Sequence, residues 1–147
     1  MLSSLGPSRS LKVYVAAAFA RGGEMRRVAR DLEREGHRVT STWINESTEL
    51  VAGECATAEA AMRAAVRNLE QLRESDLCIM FSTPAGSEDL GRGGRHVELG
   101  AAFAWNIPVM LVGPDEHLFH VLVAGRYQTW CECRDDLTYA AIPRLAA

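Results

Sequence analysis

No apolar run in this 147-residue chain approaches the roughly 18 residues that a membrane-crossing helix needs, so no membrane partner is expected. An excess of positive charge is also missing. The formal net charge is −3, which offers no field for a nucleic acid polymer. No Gly-Lys-Ser/Thr triplet is present, and no Gly-x-Gly-x-x-Gly follows the first apolar run. Those absences disfavour a P-loop ATPase and a standard dinucleotide enzyme. The first ten residues carry Ser, Gly and Pro with no hydrophobic stretch ahead of Lys12, and read as a loose tail rather than a signal peptide. Cysteine is sparse: Cys55, Cys78, Cys131 and Cys133. Cys78 lies in an apolar strand pattern and reads as a small hydrophobe. Cys131 and Cys133 would share one face of a strand, and a lone C-x-C pair is weak evidence for metal. Reduced thiols in a cytoplasmic protein are the simpler expectation.

What remains is ordinary globular material, 48% apolar and 24% charged, enough for one domain over residues 11–147. Residues 11–18 (LKVYVAAA) form a buried strand pattern. Residues 24–35 form an amphipathic helix with Met25, Val28, Ala29 and Leu32 on one face and Gly36 as its stop. Residues 37–43 read as a second strand. Residues 44–55 form a polar connection, and Thr57 caps a helix to about Arg73 with Ala61, Ala65, Leu69 and Leu72 inward. Residues 76–82 (DLCIMFS) suit a central parallel strand. A Gly-rich loop, a helix containing Glu98, a strand over 107–112 and a stop at Gly113-Pro114 follow. A short helix over 116–123, a last strand over 127–133 and a terminal helix over 135–145, broken near Pro143, complete the pattern.

Strands alternating with helices imply parallel βαβ units. Five strands suggest a flavodoxin-like α/β sandwich of order 2-1-3-4-5. In such a sheet, ligands sit beyond the carboxyl ends of the strands where the order reverses. Here that crevice lies between strands one and three, walled by residues 16–24 and 82–95. Each wall carries a glycine pair, Gly22-Gly23 and Gly93-Gly94, leading into a helix N-terminus that favours anions. Ala16 opens the first wall. Arg21, Arg92 and Arg95 stand beside the glycines as candidate anion ligands. Glu98 falls in the first turn of its helix, where unpaired N–H groups would keep it ionised. Such a carboxylate can attack an electrophilic carbon. Tyr14 reads either as plain core or as placed to aim its hydroxyl at Glu98, and Trp43, at the same edge, either as core or as a platform that stacks on a flat ring. His96 and His120 are candidate proton carriers without a spacing partner for metal. Asp76 opens strand three at the opposite edge and reads as structural.

With these residues in view, the chain resembles the nucleoside 2-deoxyribosyltransferase family, including the 2′-deoxynucleoside 5′-phosphate N-hydrolases. The resemblance runs from Val13 to about His120. It is carried by Val13-Tyr14-Val15-Ala16 with Arg21-Gly22-Gly23-Glu24, by Asn68-Leu69 through Ser75-Asp76-Leu77, and by Gly93-Gly94-Arg95-His96-Val97-Glu98-Leu99-Gly100 with Pro108-Val109. It implies a double displacement at an N-glycosidic bond. Glu98 matches the nucleophile that attacks C1′ and expels the base, Tyr14 the tyrosine that orients it, and the loop from Trp43 a region that contacts the base. The logic is that of a retaining glycosidase. No metal and no organic cofactor is implied. Two departures stand out. Asn68 occupies the position of an aspartate that handles the leaving base, and an amide supplies no proton at neutral pH. Arg92, six residues before Glu98, stands where the transferases carry an acid and the nucleotide hydrolases a small hydroxyl residue, which leans the expectation toward a 5′-phosphorylated substrate.

The expectation is therefore a cytoplasmic enzyme acting on a deoxynucleoside or its monophosphate. By the resemblance it assembles as a homodimer or larger, with residues 113–123 and His120 completing a neighbour's pocket. The rival is a catalytically silent nucleotide-binding module, favoured by Asn68. A flavin carrier is disfavoured, because Ala16-Ala17-Ala18 replaces a hydroxyl-rich phosphate cradle.

Overall fold

In the computed structural model the described residues are 10–46, 57–87 and 93–139. Cys55, Arg92, the first nine residues and the expected break at Pro143 lie outside them. The first strand, β1 (Lys12–Ala16), leads through a 3-10 turn at Phe19–Arg21 into α1 (Gly22–Arg34). Then come β2 (Arg38–Val39), a 3-10 turn at Thr42–Asn45 and α2 (Ala58–Arg73). The second half holds β3 (Leu77–Phe81), α3 (Gly94–Ala104), β4 (Val109–Val112), a 3-10 segment at Leu118–Leu122, β5 (Gly125–Tyr127) and α4 (Trp130–Tyr139). All strand pairs are parallel and the sheet order is β2-β1-β3-β4-β5, as expected from the alternation.

Every residue of β3 is buried, consistent with its unbroken apolar run at the centre of a sheet covered on both faces. Helix α1 buries Met25, Val28, Ala29 and Leu32, the face that its 3.6-residue period marks. Each of the three larger side chains contributes about 1.5–3 kcal/mol by leaving water. Helices α1 and α4 share one side of the sheet. There Trp130 Nε1 donates to Asp31 Oδ2 at 2.9 Å and Arg134 Nε to Glu35 Oε1 at 2.6 Å. Helices α2 and α3 pack together over the other side. Asp76 has the structural role expected of it: Lys12 N–H donates to its carboxylate at 2.9 Å, fastening the start of β1.

Several features differ from the sequence pattern. Strand β2 stops at Val39 rather than continuing to Trp43. Both Val15 groups facing that edge are taken by side chains instead of backbone, the N–H by Ser41 Oγ at 3.0 Å and the carbonyl by Trp43 Nε1 at 2.7 Å. Strand β5 ends at Tyr127, and residues 130–133 are helical rather than extended. Thr129 Oγ1 accepts from Glu132 N–H, and Glu132 reaches back to Gln128 N–H, so a Thr-x-x-Glu capping pattern overrides the strand-like alternation. Cys131 and Cys133 consequently lie on different sides of α4, one exposed and one buried, and share no face. On α2, Leu72 is buried and Leu69 partly buried, but Ala61 and Ala65 face solvent while Ala64, Arg67 and Asn68 turn inward. An alanine-rich helix marks its buried face weakly. The segment at Leu118–Leu122 is a 3-10 helix rather than a regular α-helix.

At the end of β4, Gly113 adopts φ +110°, and a Cβ there would collide with Ser82 Oγ. Only glycine lets the β3 and β4 ends close side by side at this edge.

Candidate active site

Tyr14 and Cys78 are register partners on β1 and β3, so their side chains leave the same face, toward α2 and α3. Gly93, at φ +84°, caps the N-terminus of α3 and turns the chain so that Glu98 descends onto that face. The Tyr14 hydroxyl donates to Glu98 Oε1 at 2.7 Å. Glu98 is the fifth residue of α3, one position beyond the first turn. This corrects the expectation that the helix N-terminus keeps it ionised. Burial pushes its carboxyl up to about 7, partly offset by the Tyr14 hydrogen bond. Burial first, and then the Glu98 charge, drive the Tyr14 hydroxyl and the Cys78 thiol well above their ordinary ranges. At neutral pH both remain protonated. The site thus offers a carboxylate poised near neutrality with an oriented phenol donating to it.

Arg67 is a residue the sequence reading passed over. Its positive charge favours the Tyr14 phenolate, the one influence that opposes the rise in the Tyr14 pKa. On α2 it pairs with Glu46, and it donates to the side-chain oxygen of neighbouring Asn68 at 3.3 Å. An arginine inside a helix of alanines carries no motif, so only the packing of α2 on α3 brings it into view.

The other nominated residues divide. Ala16, at the end of β1, is fully buried. Gly22 and Gly23 open α1, and Gly93 and Gly94 open α3, as the glycine pairs suggested. Arg21 projects from the first wall to the second. It donates to the Ser82 carbonyl at 2.9 Å, chelates Glu24 through two bonds of 2.9 Å, and lies over the Phe81 ring. Arg95 is 4% exposed and grips Glu116 at 3.2 and 2.5 Å, so its guanidinium serves the fold rather than an open anion pocket. Burial alone would raise the Glu116 carboxyl. The bonds from Arg95 and the Thr83 N–H, with the Arg95 charge, outweigh it and hold the group below the usual range. Trp43 is 4% exposed, with its indole bonded to the Val15 carbonyl and its ring against Phe19. It is a core residue, not an open stacking platform. The sequence placed it at a strand end, and the side-chain bonds that end β2 turn it inward.

His120 is wholly buried, and its Nδ1 accepts from the Glu116 N–H at 3.0 Å. It cannot be lent to a neighbouring chain as the sequence suggested, because its own chain encloses it. Nor are His96 and His120 isolated. His117, which the sequence reading did not single out, lies between them, with its Nε2 2.9 Å from His96 Nδ1. Burial lowers the pKa of His96 and of His120, and the neighbouring charges of Arg95 and His117 respectively add to the effect.

Several solved structures share this fold. A 2-deoxyribosyltransferase from the psychrotolerant bacterium Bacillus psychrosaccharolyticus superposes with a TM-score of 0.63 at 21% identity, covering 84% of this chain and 90% of that one. The CMP N-glycosidase BcmB of Clostridium botulinum superposes with a TM-score of 0.50 at 20% identity, covering 86% of this chain and 97% of that one. No protein-family model matches the sequence, and no curated protein does. At these identities the likeness establishes a shared architecture over most of the chain. Among the described residues, no helix is long and apolar enough to cross a membrane.

Proposed function

We propose that this protein is an enzyme that cleaves or exchanges the N-glycosidic bond of a 2′-deoxynucleoside or its 5′-monophosphate, with Glu98 as nucleophile. The observation that carries the reading is the 2.7 Å bond from Tyr14 to Glu98 on the sheet face covered by α2 and α3. Support comes from the shared fold of a deoxyribosyltransferase and a CMP N-glycosidase, two proteins whose names describe this class of reaction. The ionised Glu98 oxygen attacks C1′, the C1′–N bond breaks, and its electron pair leaves with the base. Water or a second base then displaces the carboxylate from C1′. Burial serves this chemistry, since a desolvated carboxylate gains more from positive charge developing on the sugar than a hydrated one does. Tyr14 holds one carboxylate oxygen and fixes the direction of the other. Asn68 hydrogen-bonds the departing base without donating a full proton. The lean toward a monophosphate rests on Arg92 in the sequence and on the fold shared with a nucleotide-cleaving enzyme.

Incubation with a panel of deoxynucleosides and deoxynucleoside 5′-monophosphates, followed by chromatography for free base, tests the reading. Base release is expected with at least one substrate, and Glu98→Ala is expected to abolish it while nucleotide still binds. Turnover by that variant at the wild-type rate overturns the mechanism. Asn68 favours the rival of a silent nucleotide-binding module, and calorimetric binding without base release by the wild-type chain decides for it.

Self-association belongs to the same proposal. Val97 on α3 is 64% exposed, and Leu118 and Phe119 in the 3-10 segment are 75% and 62% exposed. In the same segment Val121 and Leu122 are 61% and 56% exposed. Such a patch on a small domain marks an interaction surface, and a second copy of this chain is its proposed occupant.

A further inference from the structure

Three imidazoles converge beyond the carboxyl end of β4. His96 comes from the first turn of α3, and His117 and His120 come from the connection between β4 and β5. One ring nitrogen from each lies within 4.8 Å of the other two. The His117 ring centroid is 4.7 Å from that of His96 and 4.1 Å from that of His120. Two nitrogens in the cluster, His117 Nδ1 and His120 Nε2, are buried without a hydrogen-bond partner. A buried polar group left unpaired costs about 1–3 kcal/mol, and here two such groups lie in one cluster. Three neutral imidazoles form the donor set of a borderline divalent ion, zinc above all.

We propose that His96, His117 and His120 bind one zinc-class divalent ion, with a fourth position open to water or an anionic oxygen. At Zn–N distances of about 2.0–2.1 Å, tetrahedral nitrogens stand roughly 3.3 Å apart. Ring movements of about an ångström close the cluster to that size. One outer-shell partner is in place, the Glu116 carboxylate beside His96, as imidazoles of metal sites commonly have. The Glu116 N–H donates to His120 Nδ1, and Glu116 Oε2 lies 3.4 Å from His96 Nε2. Without the ion, the Nδ1 bond leaves the His120 proton on Nε2. Coordination at Nε2 moves that proton to Nδ1 and turns the ring off the amide. The two arginines beside the cluster are each ion-paired, Arg95 with Glu116 and Arg126 with Asp115, both at 2.5 Å. The bound ion would pin the Leu118–Leu122 segment, and with it the apolar patch, to the N-terminus of α3.

The inference stands on the histidine geometry alone and is separable from the glycosidic reading. Chelator-treated wild-type protein is titrated calorimetrically with Zn²⁺ and, as a hard-ion control, Mg²⁺. One equivalent of Zn²⁺ with a rise in Tm is expected, and no uptake of Mg²⁺. His117→Ala and His96→Ala, each first shown to fold by circular dichroism, are expected to weaken zinc by on the order of 100-fold or more. Glu98→Ala is expected to bind zinc as the wild type does, whatever its effect on base release. Cobalt substitution separates imidazole from thiolate ligands, because a thiolate-to-cobalt charge-transfer band would assign the ion to the cysteines. Such a band, no stoichiometric zinc, or zinc affinity unchanged in both histidine variants overturns the site. Should both histidine variants fail to fold, the wild-type cobalt spectrum decides alone.

Discussion

Tyr14 and Glu98 stand 84 residues apart in sequence and 2.7 Å apart in space. One lies in a strand and the other in a helix, and the bond between them ties α3 to the sheet at the candidate site. Because the hydroxyl donates to the carboxylate, it favours the ionised form of Glu98 while burial opposes that form. Removing it therefore has a directional consequence. In Tyr14→Phe the Glu98 pKa should climb above about 7. The alkaline plateau of kcat/KM should move to higher pH and kcat should fall on the order of 10- to 100-fold, the loss of one hydrogen bond to a charged group. A pH–rate profile measures both. An unshifted limb would remove Tyr14 from any role in positioning the nucleophile.

Glu98 also ties stability to pH. Its folded pKa of about 7 lies above the unfolded value of 4.5, so between those values the native state binds the extra proton. Its contribution to stability is complete below the unfolded pKa and is lost as pH rises through 7. Glu98→Gln removes the titration. Relative to wild type, the variant should gain stability on going from pH 5 to pH 8, on the order of 1–3 kcal/mol. Urea denaturation at the two pH values reads the difference. A gain that is absent or reversed would mean that the carboxylate is not desolvated.

Trp43 separates a packing role from a binding one. Trp43→Phe leaves the buried Val15 carbonyl without its indole donor, at a cost of about 1–3 kcal/mol. Tm should drop, while KM for the substrate found in the panel stays near its wild-type value. A large rise in KM with unchanged Tm would return Trp43 to the base-stacking role that its sequence position suggests.

Phe119→Asp places a charge among the exposed apolar side chains of the Leu118–Leu122 segment without touching the core, since Phe119 is 62% exposed. Sedimentation should show a wild-type dimer or larger species and a monomeric variant with unchanged secondary structure. A wild-type monomer at micromolar concentration would dismiss self-association through this face.

The order of elements, the parallel sheet and the buried face of α1 were legible in the sequence, because each depends on local periodicity and local stop residues. Met25, Val28, Ala29 and Leu32 mark their helix face, and Gly36 marks its end whatever surrounds them. The shared face of Tyr14 and Cys78 follows from alternation once the strands are aligned. What tertiary structure alone decided is where polar groups find partners. Val15 gives its edge bonds to Ser41 and Trp43, which shortens a strand and buries an indole. Arg95 turns to Glu116 and His117 joins His96, each across 21 residues. The charge state of Glu98 follows the same rule. Sequence places a carboxyl near a helix N-terminus, but desolvation depends on everything packed above it, and that quantity exists only once the chain has closed around the site.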